Sequence, residues 1–120
     1  MDGQVTVTGA MTIDRARIES RARRLGAAVA SAYAELQRTV RSGQDVERAW
    51  HELDDRVQDL SIIAALLPST HVVRLAAEHV RAMHARWTED PDAERLPFAL
   101  ALSLLERSIA DAERRLQRTS

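Results

Sequence analysis

The chain has 120 residues, room for one hydrophobic core, and its 17 arginines against 18 acids leave a formal charge of −1, which excludes the cationic excess of a dedicated nucleic-acid binder. It contains no cysteine, so disulfides, thiolate metal sites and cysteine nucleophiles are excluded, and its four glycines form no phosphate-binding loop. Twenty alanines and 13 leucines with very few aromatics favour helix over sheet, because small and unbranched side chains lose little rotamer freedom there. All 17 cations are arginine, which matches the codon bias of a high-GC genome and imposes no mechanism.

Residues 1–11 carry two glycines and a weak alternation at Val5 and Val7, and they are read as a mobile N-terminal arm. Residues 12–120 form the single folded domain. Thr12 is the predicted N-cap of a first helix whose apolar stripe runs Ile18, Ala22, Leu25, Val29, Ala32 or Tyr33, Leu36 and Val40, at alternating spacings of four and three. Ser42 and Gly43 stop it. Asp45 is placed to cap a second helix with the stripe Val46, Trp50, Leu53, Val57, Leu60, Ala64, Leu67, ended by Pro68. Ser69 or Thr70 is the expected cap of a third, with Val73, Ala76, Val80, Met83 and Trp87 inside and an end near Glu89. After the linker Asp90 to Arg95, Pro97 is the expected start of a fourth with Phe98, Leu102, Leu105, Ile109, Ala112 and Leu116 inside. Four amphipathic helices joined by short connections predict an all-α fold, an antiparallel up-down-up-down four-helix bundle with an extended first helix. No stretch of about eighteen apolar residues and no basic-then-apolar leader is visible, so the expected location is cytoplasmic, with no membrane span.

Two segments hold more apolar side chains than one core-facing stripe needs: Ile62 to Leu67, and Leu96 to Leu105. A second buried face satisfies both, so a homodimer or a protein partner is expected, with Ile62, Ile63, Leu66, Leu100 and Leu104 making the apolar contact. Arg17, Arg21 and Arg24 on the overhanging first helix are the expected orienting rim. Residues 13–41 carry seven arginines against three acids and residues 42–69 two against six, so the flanks of the first two helices are expected to pair across their seam.

The remaining chemistry is sparse. Glu47, His51 and Asp54 or Asp55 share one helical face, which reads as a solvated surface, and no histidine has the Glu-x-x-His spacing of di-iron bundles, so neither metal nor cofactor is expected. His79 and His84 are read as edge histidines satisfied by neighbouring carboxylates. A bundle of this length with such a histidine resembles histidine phosphotransfer domains in fold class and size alone, and the lysine that follows their reactive histidine has no counterpart here. His71 is read as a turn residue beside the third helix. Ser31, Ser61, Ser103 and Ser108 sit inside helices without the strained turn of a serine nucleophile, so no catalytic residue is assigned. The leading expectation is a non-enzymatic, self-associating interaction protein; the alternative is a small-molecule pocket between helices near Trp50, Tyr33 and Trp87.

Overall fold

A computed structural model of the chain describes the backbone of residues 2–90 and 95–119 and the side chains of residues 15–90 and 96–115. The described residues form four helices and no strand: α1 Asp2–Ser42, α2 Val46–Ala64, α3 Val72–Glu89 and α4 Arg95–Thr119. The predicted four-helix, all-α fold is therefore present.

The boundaries show which local forces win. α1 begins at Asp2, so Thr12 lies inside it, and the backbone of the expected arm is helical; the side chains of that stretch lie outside the described residues. A glycine costs a formed helix only about 1 kcal/mol, so Gly3 and Gly9 do not stop propagation backwards from the strong stripe. The other end closes where expected. Gly43 takes the left-handed conformation at φ 72° and its N–H donates to the Thr39 carbonyl at 2.7 Å. Asp45 is the N-cap of α2 but gives no side-chain bond to it; its own backbone is left-handed at φ 58°. Two left-handed residues in so short a turn reverse the chain, and that demand displaces the expected capping bond.

α2 loosens past Ala64 into a tighter turn, with Leu66 and Leu67 donating to Ile63 and Ala64, and the chain turns at Pro68. The Arg74 guanidinium reaches back to the carbonyls of Leu67 at 2.7 Å and Ala65 at 3.2 Å and closes this end. The cap of α3 is His71, one residue beyond the expected Ser69 or Thr70: its Nδ1 accepts from the Val73 N–H at 3.1 Å. With Nδ1 an acceptor, Nε2 is the protonated nitrogen, and it donates to Glu19 Oε1 of α1 at 2.9 Å. α4 begins at Arg95 rather than Pro97; Pro97 sits in the first turn, where its missing N–H has no partner to lose.

α1 lies along α2 and α3 along α4, giving two intimate hairpins that meet over the shorter α2/α3 and α1/α4 seams. α1 and α3 also touch across the centre, whereas the described residues of α2 and α4 do not approach each other. Tyr33 meets Phe98, and Gly26 faces Ile109, so α1 and α4 run in opposite senses. The core is built from the predicted stripes, with Val29, Leu36, Leu53, Leu60, Leu67, Val73, Val80, Phe98 and Leu105 the largest fully enclosed side chains. Each such side chain contributes about 1.5 to 3 kcal/mol through removal from water. Ala49, Ala77, Ala101 and Gly26 join them where helices approach closely. Val40, predicted inside, is 56% exposed, and the adjacent Thr39 is buried instead with its hydroxyl donating to the Leu36 carbonyl.

Candidate functional site

Exposed apolar side chains are the first feature left over once the core is filled. Ile62 and Leu66 on α2 are 65% and 63% exposed, and Leu96, Leu100 and Leu104 on α4 are 67%, 58% and 50% exposed. Spacings of four keep each set on one side of its helix, the side turned from the core. Ile63 does not belong with them: it packs against the core, because one residue turns the side chain about 100° around the helix. The two sets also do not form the single contact expected from sequence. α2 and α4 do not approach one another among the described residues, so the two strips stand on different helices, and α3, which packs against both, exposes Val72 and Leu75 as well.

Arg17, Arg21 and Arg24 are all exposed. They continue the row that leads to Ala28, which lines the outer groove between α1 and α2, so the three guanidiniums extend the edge of α1 that borders α2. That groove, about 690 Å³, has a floor of small residues, Ala28, Ala32 and Ala49, and a charged rim. The charges of the rim pair along their own helices, Arg38 with Glu35 on α1 and Arg56 with Glu52 at 3.1 Å and Asp59 at 3.8 Å on α2. Among the described residues no ion pair crosses the α1/α2 seam, contrary to the expectation from the complementary charge of the two helices. Neighbours three and four residues along the same helix are within reach of each rim charge and take it up instead.

The three rings expected near a pocket do come together, in direct contact. Trp50 and Trp87 lie 4.6 Å apart between centroids, Tyr33 meets Trp87 at 6.0 Å and Phe98 at 5.3 Å, and Trp87 meets Phe98 at 5.1 Å. These are offset and edge-on packing distances, and the cluster fills the space between all four helices. None of these four rings lines the α1/α2 groove, the cavity beside His71 or the α2/α3 groove.

The histidines divide by burial. His51 and His79 are exposed. His84 is not at an edge: only 6% of its side chain is accessible, its ring stands edge-on to Phe98 at 5.9 Å, and its Nε2 has no hydrogen-bond partner. Nδ1 faces Asp54 Oδ1 at 4.0 Å, beyond hydrogen-bond range. Burial pushes its pKa below the ordinary histidine value of 6.5, against the opposing pull of the Asp54 carboxylate. The imidazole lines a groove of about 350 Å³ between α2 and α3, together with Gln58, Arg81 and Thr88. No three histidine or acidic side chains converge on a metal-sized position among the described residues.

Comparison with known protein families, curated proteins and solved structures yields no match. No helix of the described residues is long and apolar enough to cross a membrane.

Proposed function

We propose that this protein is a non-enzymatic helical docking module of the cytoplasm that self-associates and binds a protein partner through its unfilled apolar faces. One observation carries the reading: five large aliphatic side chains, half or more exposed, stand in two ordered strips on α2 and α4. Scattered exposed leucines are ordinary on monomers, whereas rows spaced by whole helical turns are the form in which a helix presents a contact to another helix. The α4 strip, with three leucines in register, is the proposed face for the second copy, and a two-fold pairing satisfies both copies at once.

Sedimentation across a range of concentrations tests this. The expected result is a concentration-dependent dimer that Leu100→Ser with Leu104→Ser converts to monomer without loss of helix content. A chain that stays monomeric at every concentration removes the self-association.

A further inference from the structure

The groove between α2 and α3 is lined by polar groups whose bonding capacity the fold leaves partly unused. The deepest of them is His84, 5% exposed, whose Nε2 has no hydrogen-bond partner and whose Nδ1 faces Asp54 Oδ1 across 4.0 Å at the groove wall. Burial keeps that ring neutral at neutral pH, so it adds no positive charge to the groove. The hydroxyls lining the groove have spent their protons on their own helices: Ser61 donates to the Val57 carbonyl at 2.8 Å and Thr88 to the Ala85 carbonyl at 2.8 Å. Gln58 gives an amide proton to Asp54 at 3.2 Å. What these groups still offer is chiefly lone pairs, gathered around one carboxylate. One turn back along α3 stands the opposite charge. Arg81 lines the same groove, is exposed, and makes no hydrogen bond or ion pair among the described residues.

We propose that this groove binds a free α-amino acid with a branched aliphatic side chain, its ammonium between Asp54 and His84 Nδ1 and its carboxylate on Arg81. The placement of charge selects the occupant. A simple amine meets Arg81 as a like charge, a simple carboxylate meets Asp54 in the same way, and a zwitterion answers both. The two ends lie three residues apart on α3, about 4.5 Å along the axis, a span that an ammonium and a carboxylate on one carbon cover once the long arginine side chain reaches over. The ammonium carries three protons, enough for Asp54, Nδ1 and a hydroxyl oxygen, and a donor at Nδ1 places the ring proton on Nε2. The aliphatic side chain lies against Val57, Ala85 and Ile62, and Ile62, 65% exposed on this rim, gains apolar cover. At about 350 Å³ the groove has the size of a small-molecule site. The inference goes beyond the docking reading and does not depend on it.

The test is NMR of the full chain titrated with L-leucine, with glycine, and with leucine's two halves, isoamylamine and isocaproate. L-leucine is expected to give saturable shifts centred on Gln58, Ser61, His84 and Thr88, and the other three probes to bind at least about tenfold more weakly. Asp54→Asn and Arg81→Gln are each expected to weaken leucine by about tenfold or more, and Ile62→Ser to weaken leucine while leaving glycine unchanged. None of these three side chains belongs to the core, and circular dichroism checks that each variant folds. The variant carrying Leu100→Ser and Leu104→Ser is expected to bind leucine as the parent chain does, so loss of self-association and loss of this site are read separately. Absence of a saturable shift with L-leucine overturns the inference. Equal binding of isoamylamine or isocaproate, shifts centred elsewhere on the molecule, and binding that survives both charge variants do so as well.

Discussion

His84 holds an imidazole of which only 6% is accessible, with one nitrogen unpartnered and a carboxylate too far to bond. Its pKa is held down by burial, so the unfolded chain takes up a proton at a higher pH than the folded one. The stabilisation from keeping it neutral is complete above 6.5 and is lost as pH falls through the folded value. Urea unfolding at about pH 7.5 and about pH 5 is expected to show lower stability at the acid end, and His84→Leu to remove that part of the difference while leaving neutral stability equal or higher. Arg74 works in the opposite direction, supplying donors where a helix end has carbonyls to spare. Arg74→Ala is expected to lower unfolding free energy by about 1 to 2 kcal/mol, and Arg74→Lys to recover part of it, since the single Nη1 serves both carbonyls while Nε holds Glu78. At the head of α3, His71→Ala removes both the bond from Val73 and the tie to Glu19, for an expected loss of about 0.5 to 2 kcal/mol in the same measurement.

Between elements, α1 meets α4 at Gly26, where a β-carbon would fall 2.5 Å from Cδ1 at the far end of the Ile109 side chain, which would have to turn aside. Gly26→Val is expected to overfill that contact and cost about 1 to 3 kcal/mol, read from thermal unfolding, although glycine is itself a poor helix former. Such contacts mark the boundary of what the amino-acid order conveys. The apolar stripes of α2 and α3 were legible, because a repeat of four and three encodes burial directly: Leu53, Val57, Leu60, Ala64, Val73, Val80 and Trp87 are all enclosed. Ile62 and Leu66 were legible as surplus for the same reason. Ile63 was not separable from them, since in an unbroken apolar run only the exact phase of the helix decides which side chain faces inward. The interior position of His84 was hidden because it lies at the flank of its stripe, where the neighbouring hairpin decides burial. Arg74 closes the end of the preceding helix and His71 ties to α1, 52 residues away, and no local pattern announces either role.

At the scale of the molecule, α1 governs the shape. A helix of 41 residues spans about 61 Å, and the longest dimension of the structure is 60 Å against 27 and 22 Å across. α2 and α3, with 19 and 18 residues, reach less than half that length. The excess surface of a chain built this way is what an assembly would use, and the dimer expected from sedimentation should therefore also raise thermal stability with concentration. One arrangement inside the bundle offers a direct way to watch such events. The chain has two tryptophans, Trp50 on α2 and Trp87 on α3, and their indoles touch. Coupled excited states of two adjacent indoles give a near-ultraviolet dichroic signal that vanishes when the rings part, so the unmodified protein carries its own optical gauge of whether the two hairpins are shut.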